Sequence, residues 1–117
     1  MKKPHIRTAI PQRRYEIDTF SVVVLGEIES DDPVVYKWIM AFVDAGESEP
    51  LLYVTAEENP PGERAHGRYR ARVVLGRDER HLGSDDFLGD LDAFTEYGFQ
   101  IAARLLHLGG EEPVRLM

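Results

Sequence analysis

A histidine and a group of aspartates lie close together between positions 81 and 92, and these residue types are the ones in the sequence best suited to chemistry. An imidazole beside two carboxylates could bind a divalent cation or act as an acid and a base. His81 falls at the end of a short predicted strand, and the aspartates surround the start of a predicted helix. The aspartates are Asp85, Asp86, Asp90 and Asp92.

The same aspartates also suit a structural role. Asp85 and Asp86 directly precede an amphipathic stretch, where carboxylates accept hydrogen bonds from the first helical amides and favour the positive helix end. Phe87 and Leu88 occupy positions at which a calcium-binding loop would need oxygen ligands. We therefore expect the aspartates to cap the helix, and we predict no metal site and no catalytic residue.

Three arginines at every second position form the other charged pattern. Arg68, Arg70 and Arg72 project to one face of a predicted strand, where their guanidinium groups could clamp phosphate or carboxylate groups. The alternative is that they pair with acids on a neighbouring strand, such as Glu57 and Glu58, or protect an edge strand from aggregation. Both readings stay open from the sequence, and we include the three arginines among the candidate binding residues.

Motifs for common chemistries are absent from the sequence. It contains no phosphate-binding Gly-rich loop, no dinucleotide-binding glycine pattern, no zinc-protease helix and no serine nucleophile elbow. The chain also has no cysteine, which excludes disulfides, thiolate metal sites and cysteine nucleophiles. We predict a non-enzymatic protein without a cofactor.

The charge of the chain is unevenly distributed. Residues 1–14 contain five basic residues and no acid, and removing those five charges from the net charge of −7 leaves −12 for residues 15–117. Such an acidic body repels phosphate backbones, so we predict no nucleic-acid binding except through the basic arm. No apolar run suits a signal peptide or a membrane span, and we therefore predict a cytoplasmic protein with no membrane partner.

Hydrophobic periodicity predicts the strands and the helix that carry these residues. Alternating or β-branched stretches predict four strands and, less clearly, a short fifth. A stripe at helical spacing from Phe87 to Leu105 predicts one helix that ends before Gly109, and Gly98 within the stripe indicates close approach to the sheet. The predicted strands cover residues 15–28, with a bulge near residues 18 and 19, then 34–44, 51–57, 68–75 and 80–82.

This order of elements predicts the α+β class. We expect an antiparallel β-meander of four to five strands followed by one C-terminal α-helix packed on one sheet face. The expected organisation is a basic N-terminal arm over residues 1–14, a single α+β domain over 15–110 and a C-terminal tail over 111–117.

Several predicted strands are apolar on both faces. In residues 34–44, the alternation places Tyr36 and Trp38 on one face and Ile39 and Val43 on the other. One helix covers only one face of a sheet, so the other face needs a cover. The N-terminal arm, a strong curl of the sheet around a small-molecule pocket, or a second protein chain could supply it, and Tyr53 would help to line a pocket.

We predict a protein-binding module that acts through an apolar sheet face containing Trp38 and forms a homodimer, because small domains often hide such a face by association. One alternative is a small-molecule-binding or catalytic pocket between sheet and helix. Another is an acidic protein that mimics nucleic acid and inhibits a basic partner. The candidate binding residues are Tyr36, Trp38, Tyr53, Arg68, Arg70 and Arg72.

Overall fold

A computed structural model describes residues 3–117 and shows one antiparallel sheet with one α-helix, which confirms the α+β class. The first six strands along the chain are each hydrogen-bonded to the next and form a meander, and the seventh strand pairs with the first. The expected number of four to five strands was wrong, because the sheet has seven. The strands are β1 (Ile6–Ile17), β2 (Phe20–Ser30), β3 (Tyr36–Asp44), β4 (Leu52–Glu58), β5 (Tyr69–Leu75), β6 (Asp78–Ser84) and β7 (Val114–Arg115).

Part of the difference comes from the N-terminal region, where two long strands replace the single predicted one. Residues 6–14, assigned above to the arm, form most of β1. The chain reverses at Asp18, whose φ is 53°, and pairs Ile17 with Phe20. This two-residue turn places both of those side chains in the core, and it explains the phase change that we had attributed to a bulge.

The other additional strand lies in the predicted C-terminal tail. β7 pairs with β1, with Arg115 opposite Tyr15 and Val114 opposite Glu16. At the other edge of the sheet, β6 extends the predicted short strand to seven residues. A two-residue pairing carries too little periodicity to be recognised from sequence alone.

The helix α1 (Leu91–Leu105) begins later than the stripe of apolar residues. Its N-cap is Asp90, whose carboxylate accepts a hydrogen bond from the Ala93 amide at 2.8 Å. Asp85 instead caps a short 3-10 turn over Asp86–Gly89 by accepting from the Phe87 amide. Within residues 3–117, no helix has both the length and the apolar character needed to cross a membrane.

The main core lies between α1 and one face of the sheet, which we call the helix face. Phe94 and Ala102 of the helix are fully buried there, and Met40 and Phe42 are buried on β3. Gly98 lies against Met40, because a Cβ atom at Gly98 would overlap the Met40 sulfur. The close approach predicted for Gly98 is therefore confirmed.

The opposite face of the sheet, the second face, is also shielded. Ile39, Thr55 and Val74 project from it and are at most 1% exposed. Residues 3–5, which we call the N-terminal segment, are held beside both ends of β3: Lys3 Nζ lies 3.3 Å from Glu49 Oε2 after the strand, and His5 Nδ1 lies 3.0 Å from Asp32 Oδ1 before it. Of the predicted arm, residues 3–5 make these contacts, whereas residues 6–14 belong to β1; a curl of the sheet and a second protein chain as covers stay predictions.

Candidate functional site

Two of the three predicted arginines are joined to one glutamate on the second face. Arg72 Nε lies 2.6 Å from Glu57 Oε2, and Arg70 Nε lies 3.4 Å from Glu57 Oε1. The pairing follows from the register, which sets Glu57 opposite Arg70 on neighbouring strands. Arg68 is separate from them, with its guanidinium group 5.6 Å from the centre of the Tyr69 ring.

Arg72 is the centre of a buried polar network. Its Nη1 donates to Glu79 Oε1 at 3.3 Å and its Nη2 donates to the Tyr36 hydroxyl at 3.0 Å. Thr55 donates to Glu57 Oε2 at 2.8 Å, which satisfies the carboxylate further. The side chains of Arg72 and Glu57 are each 1% exposed, so a ligand from solvent cannot reach their charges.

The network continues to the N-terminal segment through Asp32. The Tyr36 hydroxyl donates to Asp32 Oδ2 at 2.5 Å, and the His5 amide donates to the same oxygen at 3.0 Å. His5 Nδ1 lies 3.0 Å from Asp32 Oδ1. Burial raises the pKa of Asp32, but the hydrogen bonds from Tyr36 and His5 outweigh it and hold this pKa below 3.8.

The hydrogen bonds of this network fix the protonation of Tyr36. Burial raises the pKa of Tyr36, and the hydrogen bond to Asp32 raises it further, so the hydroxyl keeps its proton. Within the described part of the chain, no buried side-chain nitrogen or oxygen lacks a hydrogen-bond partner. The network therefore fastens β3, β4, β5 and the N-terminal segment to one another.

Tyr36 and Trp38 do not share a face, contrary to the prediction. Lys37 is an extra residue between them, because Tyr36 pairs with Glu57 while Trp38 pairs with the adjacent Ala56. Tyr36 therefore enters the polar network on the second face. Trp38 lies on the helix face, where its Nε1 donates to the Gly89 carbonyl at 3.2 Å.

Trp38 also borders an open groove, which we call the tryptophan groove and which is lined by residues of β1, β2, β3 and β4 and of the turn before β3. Gly26 makes room for the indole, since a Cβ atom at Gly26 would lie 2.7 Å from Trp38 Cζ3. The groove is lined by Ile10, Gln12, Glu27, Ile28, Glu29, Val35, Tyr36, Lys37, Trp38 and Glu58.

The tryptophan groove combines exposed apolar side chains with an acidic rim. Ile10 and Val35 are 51% and 59% exposed, although both are large apolar residues. Within residues 3–117, the carboxylates of Glu27, Glu29 and Glu58 form neither hydrogen bonds nor ion pairs. Sequence reasoning found Trp38 but missed these residues, because they come from three strands and share no local pattern.

Tyr53, the remaining candidate, lies apart from both groups. It is half-buried on the second face, where burial raises its pKa and the nearby Lys3 ammonium partly opposes that rise. Lys3 itself forms an ion pair with Glu49. Tyr53 therefore lies near the N-terminal segment and does not line the tryptophan groove.

The histidine and aspartate group does not assemble into a site. His81 Nε2 has Glu79 as its nearest paired carboxylate, at 3.9 Å, and the aspartates are used in caps and surface contacts. Asp92 pairs with Arg13 of β1. Among residues 3–117, no three histidine, aspartate or glutamate side chains are placed to hold a metal ion.

Comparison with known proteins adds no assignment, since no family model, curated protein or solved structure matches this chain.

Proposed function

We propose that this protein is a non-enzymatic protein-binding module that holds a basic segment of a partner chain in the tryptophan groove. The partner segment places an apolar side chain against Ile10, Val35 and Trp38, and its lysines or arginines face the acidic rim. Apolar and aromatic anchors surrounded by charge are the usual composition of binding hot spots. This proposal keeps the predicted function and moves its surface.

The observation that carries the proposal is the exposure of Ile10 and Val35 in the groove of Trp38, which three glutamates also line. Within residues 3–117 these glutamates form no hydrogen bond or ion pair. Large apolar side chains that are more than half exposed and line one groove indicate an interaction surface. The three glutamates give that surface a negative charge. They attract a basic partner, repel anionic ones and accelerate association at low salt.

The three glutamates of the rim oppose a homodimer that forms through the tryptophan groove. An isologous dimer would bring the tryptophan groove of one copy against that of the other, and the three glutamates of each rim would then face their equivalents. Like charges in that position oppose association, so we propose a different chain as the occupant of this groove. The predicted homodimer itself stays a prediction, which light scattering at two salt concentrations tests.

The apolar part of the proposal can be tested with a lysine-rich peptide that contains a single central leucine. The chain has one tryptophan, so the fluorescence of Trp38 reports directly on the groove. We expect saturable binding that weakens when the leucine is replaced by glycine. A basic peptide that binds equally well without its leucine would contradict an apolar anchor.

A matched pair of variants locates the binding. The groove variant replaces Ile10 and Val35 with serine, and the control variant replaces Val114 and Leu116, which are 60% and 59% exposed elsewhere. We expect about tenfold weaker peptide binding for the groove variant, equivalent to about 1.4 kcal/mol, and no change for the control. Equal losses in both variants would indicate that the peptide does not bind in the groove.

A further inference from the structure

A second cleft, the arginine cleft, lies on the helix face between the end of α1 and strands β5 and β6. Its volume is about 430 Å³, within the range of about 300–1,000 Å³ typical of small-molecule pockets. The floor is apolar and the rim is charged. The floor consists of Val73, Leu75, Leu82, Ile101 and Leu105, and the rim consists of Asp78, Glu79, Arg80 and Arg104.

The cleft exists because the helix does not cover the whole helix face. α1 packs against β3 and β4 in the middle of the sheet, while β6 forms the outer edge beyond them. Leu82 on β6 is therefore only half-buried, and Leu105 in the last helical turn is 37% exposed. The two leucines come from the two sides of the cleft, β6 and α1, and leave an apolar floor in contact with solvent.

Arg80 and Arg104 place two guanidinium groups at this rim. Within residues 3–117, the side chains of Arg80 and Arg104 form no hydrogen bond and no ion pair. Asp78 follows the β5–β6 turn at one end of the cleft, and Glu79 already accepts a hydrogen bond from Arg72. Arg80 comes from β6 and Arg104 from α1, so the two free charges stand on opposite walls.

We propose that the arginine cleft binds a small amphiphilic carboxylate, with its apolar body on the leucine floor and its head group between Arg80 and Arg104. Guanidinium groups bind carboxylates through charge-assisted hydrogen bonds, and an apolar floor with few polar groups is usual for small-ligand pockets. The net charge of −7 repels anions from the molecule as a whole. Binding of an anion must therefore depend on these two arginines.

The test uses decanoate below its micelle concentration as the probe and decan-1-ol as its uncharged counterpart, with amide chemical shifts as the readout. We expect decanoate to shift Leu82, Ile101 and Leu105. The variant Arg80→Gln with Arg104→Gln should bind decanoate at least tenfold more weakly. A control with the same charge change, Arg7→Gln with Arg14→Gln on β1, should bind as the unmodified protein does.

Several results of this experiment would overturn the proposal. The proposal is overturned if decanoate does not bind at concentrations of about 5 mM, which would leave less than about 3 kcal/mol of binding free energy. It is also overturned if the Arg80 and Arg104 variant binds decanoate unchanged, or if the shifts fall outside the cleft. Association with vesicles containing phosphatidylglycerol, without binding of soluble decanoate, would indicate a lipid surface instead and would equally exclude the proposal.

Discussion

Arg72 and Glu57 form an ion pair in which both side chains are almost completely removed from water, with Nε 2.6 Å from Oε2. They lie on neighbouring strands and join the middle of the second face to Tyr36 and, through it, to the N-terminal segment. A buried pair of this kind adds little net stability over an apolar pair of the same volume, but a single missing partner is costly. Each residue of the pair therefore depends strongly on the other, although the pair as a whole contributes little net stability.

Replacing Arg72 with methionine should destabilise the protein by about 3–5 kcal/mol, because the Glu57 carboxylate would stay buried without its partner. The free energy of unfolding in urea at neutral pH measures the effect. Arg70→Met is the control, since Arg70 is 30% exposed and its loss leaves the pair intact. That variant should lose about 1 kcal/mol or less.

The double variant Arg72→Met with Glu57→Leu separates the charge from the packing. It should recover most of the lost stability, because no uncompensated charge then stays buried. A double variant as unstable as Arg72→Met alone would show that the contacts of Arg72 with Tyr36 and Glu79 matter more than the charge of Glu57.

Asp32 should make stability depend on pH in the acidic range. Its pKa is below 3.8 in the folded protein, so its charge stabilises the fold above the unfolded-state pKa, and this contribution is lost as the pH falls through the folded-state value. Asp32→Asn keeps the shape and removes the charge. Urea unfolding from pH 5 downward should show the variant less stable at pH 5, with the difference shrinking below about pH 4. A constant difference across that range would contradict the role of the charge.

Gly98→Ala should destabilise the protein even though alanine favours helices. The new methyl group would overlap the sulfur of Met40, which is fully buried and cannot move into solvent. Overpacking of this kind costs about 1–3 kcal/mol, whereas the gain in helix propensity is about 1 kcal/mol. In a Met40→Ala background the same substitution should become neutral or stabilising. Thermal unfolding of the four proteins in this cycle tests the contact, and additive effects would exclude it.

Asp90→Ala should cost about 1 kcal/mol, because the Ala93 amide would lose the carboxylate that caps the helix. Glu96→Ala is a suitable control, since Glu96 is exposed in the middle of α1 and should change stability by less than about 0.5 kcal/mol. Chemical denaturation compares the two variants. A larger loss for Glu96→Ala would mean that Asp90 is not the functional cap.

The strands with clear alternation were predictable from the sequence, and so was the helix face of the core. Arg68 to Leu75 alternates cleanly, and the structure places a strand over Tyr69–Leu75. The stripe through Phe94, Gly98 and Ala102 likewise packs on the sheet. In these elements local periodicity and tertiary packing agree, because each has one face against the core.

The remaining features depend on contacts that periodicity does not contain. The bulge at Lys37 places Tyr36 and Trp38 on opposite faces of the sheet. A single inserted residue leaves no distinct signature in an apolar strand, so this change of face was not predictable. The N-terminal segment is held by contacts across the chain, such as that between His5 and Asp32. The tryptophan groove and the arginine cleft are each assembled from elements that are separate in sequence, so their residues become neighbours only in the folded chain.

The most direct test of the proposed function is the effect of the acidic rim on binding of the lysine-rich peptide. The rim variant replaces Glu27, Glu29 and Glu58 with glutamine, and the control replaces Glu96, Glu111 and Glu112, which removes the same charge outside the groove. The titrations are followed by Trp38 fluorescence at about 0.1 M salt, where the Debye screening length is about 10 Å. The peptide should bind the rim variant at least tenfold more weakly than the unmodified protein, and the control at most about twofold more weakly. Equal weakening in both variants would show that the peptide responds only to net charge, and the tryptophan groove would then not be its binding site.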